Sequence, residues 1–195
     1  MSDGPRAISR DEINAMPIRR WEGEVRVVAS PEEAARALAE IRDETVTGFD
    51  TETRPAFRPG ESYPPSLAQF ATARAVYLFQ LRSREVVAAV AEVLAAEPIV
   101  KAGVGLADDL KALKNVMDFA QKSTVDLGAA AMRHGLKQTG VRSLAAIFLG
   151  IRIPKGTKTS NWARPRLTHQ QIAYAATDAW ACRELYVRFR TLGWV

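Results

Sequence analysis

Hydrophobic and polar positions alternate between two periods along this chain. Short runs of β-branched and aromatic residues dominate the first half, and 3.6-residue spacing dominates the second. Val25–Ala29, Thr45–Thr51, Leu67–Ala71, Ala75–Leu81 and Ile99–Ala102 read as five strands, the third and fourth joined by a turn near Thr72–Arg74. Ser30-Pro31-Glu32-Glu33 is a helix start, with a serine cap, a proline in the first turn and acids that suit the helix dipole; its helix should run to about Arg42. Arg84–Ala96 and Leu106–Phe119 read as helices, as do a segment capped by Asp126 and ending at His134-Gly135, and Ser143–Leu149. The last helix opens at Thr168, with Gln171 three residues on as in a capping box, and runs to about Arg190. Residues 1–20 read as an irregular arm ahead of a single domain over 21–195. Early strands followed by many helices describe an α/β sheet with helices packed on it.

Composition narrows the class. The 195 residues are 47% hydrophobic and 25% charged, enough to bury a sizeable core without staples. A single cysteine, Cys182, rules out a disulfide framework or a cysteine-rich zinc module and fits a reducing compartment. No apolar run approaches the roughly 20 residues of a membrane span. The first residues lack a signal-peptide core, so a cytoplasmic protein without membrane attachment is expected. Charge is unevenly spread. Residues 1–130 carry 16 Lys/Arg against 20 Asp/Glu, whereas residues 131–195 carry 11 against 2. A basic final third suits a polyanionic partner, although a solvated face would look the same. Its only acids, Asp178 and Glu184, therefore invite a search for roles.

Three acidic groupings could carry chemistry. Asp50 and Glu52 in GFDTET share one face of a strand, and two adjacent carboxylates repel unless a hard cation lies between them. Tyr174 and Asp178 in AYAATDAW lie one turn apart, flanking the apolar face made by Ile172, Ala175, Ala176, Ala179, Cys182 and Tyr186. Asp108 and Asp109 in GVGLADDL fall in the first turn of a helix, where the dipole alone would favour them. The glycines there do not form a dinucleotide fingerprint, and no Walker lysine motif is present, so no nucleotide cofactor is expected.

Taken in order, GFDTET, GVGLADDL and YAATD resemble the three motifs of the DEDD exonucleases. The tyrosine four residues before the last aspartate marks the DEDDy branch. SNW at 160–162, followed by LTHQQIAYAATDAW, is similar to the Werner-type exonuclease domains and to ribonuclease D, and the resemblance runs from about Gly23 to about Arg190. It implies a ribonuclease H-like fold, a mixed five-stranded sheet with three antiparallel and two parallel strands flanked by helices. It further implies 3'-5' removal of nucleoside 5'-monophosphates by two-metal hydrolysis with Mg²⁺ or Mn²⁺. Asp50, Glu52 and Asp178 would hold one ion, Asp50 would bridge to a second supported by Asp109, and Tyr174 would orient the attacking water. Asp109 is taken over Asp108 because Leu113 follows it at the family's spacing. Asp126 and Gln69 also match family positions, though a helix cap explains the first and packing the second.

The expected partner is single-stranded or 3'-recessed nucleic acid. Motif details lean toward the DNA enzymes, with ribonuclease D-like trimming of RNA 3' ends as the alternative, and a non-catalytic nucleic-acid-binding module as the reading from another class. All four acids and the tyrosine are present, which favours an enzyme. With neither helicase motifs nor room for a helical binding domain, substrate grip should come from the domain's own surface. Arg152, Lys155, Lys158, Arg164 and Arg166 crowd the loop before the last helix; Lys155, Lys158, Arg164 and Arg166 are the candidate phosphate contacts. Trp162 sits between them, placed either to stack on a base or to anchor the loop.

Overall fold

The protein is described by a computed structural model over residues 7–156 and 159–195. Its strands are β1 (Glu24–Val28), β2 (Val46–Thr53), β3 (Pro65–Ala71), β4 (Ala75–Gln80), β5 (Val100–Gly103) and β6 (Thr124–Asp126). The helices are α1 (Arg10–Ala15), α2 (Pro31–Ile41), α3 (Arg84–Ala95), α4 (Leu106–Lys114), α5 (Leu127–Arg133), α6 (Val141–Leu149) and α7 (His169–Leu192). All six strands join one sheet in the order β1-β4-β3-β2-β5-β6. Strands β2, β3 and β4 form the antiparallel meander, while β1 pairs parallel with β4, β5 with β2, and β6 with β5.

The expected count of five strands is corrected to six. The missing strand is β6, whose three residues pair with Lys101, Ala102 and Gly103. A three-residue parallel edge strand has no local periodicity and is held by a partner 23 residues away. The arm is also more ordered than expected. Ser9 and Glu12 form a reciprocal capping box that starts α1, and Ile18 bridges Arg152 in the loop after α6. In the other direction, α4 stops at Lys114, well short of Phe119.

Strand alternation sorts the core into two layers. Phe49, Ala68, Phe70, Tyr77 and Phe79 point to one face and pack against α2, α3 and α4, with Phe70 stacked on Phe49 and edge-on to Phe79. Leu67, Ala71, Val76 and Leu78 point to the opposite face, beneath Ala175, Ala176 and Ala179 of α7. A sheet covered on both faces explains why its strands read as nearly continuous apolar runs. The alanine face of α7 lets the helix lie unusually close to β2. Gly48 makes that approach feasible, since a Cβ there would overlap the Ala179 carbonyl. The close crossing sets α7 directly beside the carboxyl end of β2.

Candidate active site

Asp50 and Glu52 leave β2 on the same face as Val46 and Gly48, which is the face α7 covers. One helical turn of α7 then brings Tyr174 and Asp178 against them. Asp50, Glu52 and Asp178 each place a carboxylate oxygen within 4.8 Å of the others. Two of the three are deeply buried, Glu52 at 8% and Asp178 at 5% exposure, so this is no solvated acidic surface. Helical spacing places Asp178 only beside the core face; in the fold it is part of that face.

Burial pushes the Asp178 carboxyl up to about 6, against the opposing pull of its hydrogen bond with Tyr174 and the positive charge of Arg142. Its Oδ1 atom has no hydrogen-bond partner among the described residues. The Tyr174 hydroxyl is driven far above its ordinary range, first by burial and then by the charges of Asp178, Glu52 and Asp50. It therefore stays a proton donor at neutral pH. The Asp178 Oδ1 atom, buried beside two further carboxylates, belongs to an all-oxygen donor set. Hard divalent cations, which prefer oxygen ligands, are its chemical complement.

Asp109 stands on α4, outside the close set but on the wall of the same cavity of about 650 Å³. Thr51, which points to the opposite face from its neighbours, donates its hydroxyl to Asp109 Oδ1 at 2.5 Å and so ties α4 to the acidic strand. Burial raises the Asp109 carboxyl, the Thr51 bond lowers it, and Asp108 and Asp126 add like-charge repulsion. Asp108 is exposed and absent from the cavity wall, so geometry separates the adjacent acids in favour of Asp109. Asp126 is a structural tie: one oxygen caps α5 at the Ala129 amide and the other accepts from the Leu106 amide at the start of α4, both at 2.9 Å. Gln69 is fully buried opposite Asp50 in the β2–β3 ladder.

The basic loop divides. Lys155 lines the acidic cavity, while Arg164 and Arg166 are exposed outside its wall. Lys158 lies outside the described residues. Trp162 is fully buried between Leu67, Leu78 and Ala175, its ring centroid 6.0 Å from that of Tyr174. This corrects the base-stacking option, since a side chain with no exposed surface cannot receive a base; Trp162 anchors the loop instead. Gly156 rests against the Tyr174 ring so tightly that a Cβ would overlap it. Tyr174 is thus clamped between Trp162 and the Gly156 backbone.

Sequence reasoning does not single out two residues of the site. Thr51 carries no signal beyond its place between two acids. Arg142 on α6 lines the cavity, is held by its Nε donating to the Ile153 carbonyl at 3.1 Å, and bears on Asp178 through its charge. Cys182 also lines this wall, but burial raises its thiol well above the ordinary range, which leaves it an inert packing group.

Comparison with known proteins gives the family and the fold. The chain is 32% identical over 160 residues to the mouse bifunctional 3'-5' exonuclease/ATP-dependent helicase WRN, covering 78% of this chain and 11% of that protein. It therefore spans only about a tenth of that relative's length. Among solved structures, the EXO domain of Aedes aegypti Nibbler superposes with a TM-score of 0.77 at 23% identity, covering 92% of this chain and 93% of that one. The catalytic core of Trypanosoma brucei RRP6 superposes with a TM-score of 0.80 at 17% identity, covering 95% and 53%. At such identities the superpositions establish the fold, which is ribonuclease H-like. The family model for 3'-5' exonuclease matches residues 25–193, from β1 through the end of α7, and the chain belongs to that family.

Proposed function

We propose that this domain hydrolyses phosphodiester bonds of single-stranded or 3'-recessed nucleic acid from the 3' end, releasing nucleoside 5'-monophosphates. The observation that carries this reading is the close carboxylate set of Asp50, Glu52 and Asp178, with Tyr174 clamped beside it. Family membership supports a nuclease, and the buried acids support dependence on a divalent metal.

Asp50, Glu52 and Asp178 would hold one Mg²⁺ or Mn²⁺ ion, with Asp50 shared and Asp109 supporting a second. When bound, such a pair neutralises the phosphodiester and stabilises both the attacking and the leaving oxygen. The chain's own groups do the rest. Thr51 fixes the Asp109 carboxylate through its short hydrogen bond. The Tyr174 hydroxyl, kept protonated by its surroundings, orients water beside the acids. Arg142 and Lys155 set positive charge on the wall of the same cavity as the acids, where phosphate oxygens need partners. Arg164 and Arg166, exposed beside this loop, extend that charge toward the incoming strand. DNA is favoured as substrate over RNA by the motif details.

The test is titration of Mg²⁺ and Mn²⁺ against mononucleotide release for the wild type, Asp50→Asn and Glu52→Gln. The wild type should be inactive in chelator and saturate with metal. Both variants should lose more than about 99% of turnover while keeping a cooperative melt, the scale of removing an essential catalytic group. Substantial residual activity in either would remove the assigned metal site.

A further inference from the structure

A second cavity of about 520 Å³ lies on the far side of Tyr174 from the acidic set. The two cavities share Lys155, Gly156 and Tyr174 as their common wall. Arg20 from the amino-terminal arm and His169 from the first turn of α7 line the second one, and among the described residues no acid does. Three separate segments thus bring cationic or N–H-donating side chains to one concavity.

The arm is held firmly enough to make Arg20 part of the domain. The Arg19 amide donates to the Arg152 carbonyl at 3.1 Å, and the Arg152 amide donates to the Pro17 carbonyl at 2.9 Å. On the other side of Arg20, the Trp21 amide donates to Thr177 Oγ1 at 3.1 Å. Arg20 is exposed, and among the described residues its guanidinium has no ion-pair partner. Tyr174 and His169 lie five residues apart on α7, an axial rise of about 7.5 Å.

We infer that this cavity is a backbone subsite in which Arg20 and His169 hold a phosphodiester of the substrate strand on the 5' side of the scissile bond. The inference rests on the proposed nuclease reading and adds the route of the strand. Arg20 supplies a bidentate phosphate fork and His169 a ring N–H. The next cavity, which shares Arg20, is lined by Arg19 as well as by Glu22 and Glu184, so acids enter the wall only beyond Arg20. Glu184, one of the two acids of the basic third, is paired with Arg183 at 3.1 Å.

The test compares the wild type, Arg20→Ala, Arg20→Lys, His169→Ala and, as an exposed cation in the β3–β4 turn at the other end of the sheet from Glu52, Arg74→Ala. Two readouts are used: kcat/KM on dT12 relative to dT3, and anisotropy of fluorescein-labelled dT12 and rU12 in Ca²⁺ across a salt series. Arg20→Ala should lower the dT12-to-dT3 ratio about tenfold, the scale of one charge-assisted hydrogen bond. It should also flatten the log–log salt dependence of binding by about 0.7, the value for one neutralised phosphate fewer on a single strand. His169→Ala should lower the same ratio, Arg20→Lys should restore most of the slope, and Arg74→Ala should change neither readout. An Arg20→Ala protein with wild-type ratio and slope overturns the subsite. Weakened inhibition by free dTMP with an unchanged ratio would also overturn it, because the cavity would then hold released product. Binding is read without turnover, so an inactive wild type that still binds through Arg20 would refute the nuclease reading and leave the subsite standing.

Discussion

Replacing Asp178 with Asn in the metal-free protein should stabilise it, by an amount that depends on pH. The folded-state carboxyl titrates at about 6 against an ordinary value of 3.8, and burial is the main cause. A carboxyl whose folded pKa exceeds its unfolded one binds its proton more tightly in the native state. The native state is therefore relatively favoured below the unfolded value, and that advantage is lost as pH rises through about 6. A shift of this size corresponds to a penalty on the order of 3 kcal/mol at pH 7.5, taking about 1.36 kcal/mol per unit. At roughly 2–4 °C per kcal/mol for a domain of this size, Asp178→Asn should melt some 6–12 °C higher than wild type in EDTA at pH 7.5. Most of that gain should vanish at pH 4.5, where the wild-type carboxyl is protonated. Saturating Mn²⁺ should reverse the order, because the metal stabilises only the protein able to bind it. Melting is followed by calorimetry at both pH values, with and without metal. An Asn variant no more stable than wild type in EDTA at pH 7.5, or a gain independent of pH, would refute the claim that Asp178 is a buried carboxylate held at the cost of its own desolvation.

Other consequences can be checked alongside. Tyr174→Phe should lower kcat by roughly 10²–10⁴ with KM and Tm nearly unchanged, as expected for loss of a water-orienting hydroxyl; unaltered kcat would leave Tyr174 a packing residue. Thr51→Val should raise the metal concentration for half-maximal activity several-fold by freeing Asp109, and an unchanged metal titration would show that Asp109 needs no such tether. Trp162→Ala should destabilise the domain by about 3–5 kcal/mol, as large-to-small changes in a core do. Trp162→Phe should retain most of the activity; a marked loss of strand binding in that variant at normal stability would return Trp162 to a substrate-binding role. Lys155→Ala with Lys158→Ala should flatten the salt dependence of single-strand binding by about 0.7 for each phosphate no longer neutralised, while the metal titration stays in place.

Much of this architecture is legible from local pattern. The apolar strands from Val25 to Ala102 are each visible because both faces of the sheet are covered. Capping signals at Ser30 and Thr168 mark the starts of α2 and α7 within a residue. The same signal at Ser9 and Glu12 marks α1, yet it is easily passed over in a short arm lacking apolar periodicity. Strand β6 is not legible, because three residues held by Lys101, Ala102 and Gly103 depend on pairing, not on their own sequence.

The site divides in the same way. Asp50 and Glu52 follow from strand alternation, and Tyr174 with Asp178 from helical spacing. That the two pairs meet depends on the α7 crossing at Gly48, which no local rule contains. Trp162 can be read either as exposed or as an anchor, and only its position over Leu67 and Leu78 decides between them. Arg142 and Thr51 act through neighbours distant in sequence, Asp178 and Asp109 respectively, so their roles emerge only in three dimensions.

The central claim is most directly tested by following a 24-nucleotide single strand, labelled at its 5' end in one tube and its 3' end in another, through digestion in Mg²⁺ and Mn²⁺. The 5' label should appear in a ladder that shortens one nucleotide at a time. The 3' label should appear at once as a nucleoside 5'-monophosphate, and Asp50→Asn should yield neither. Internal cuts, release from the 5' end, or no hydrolysis of DNA or RNA by the wild type in either metal would contradict the account.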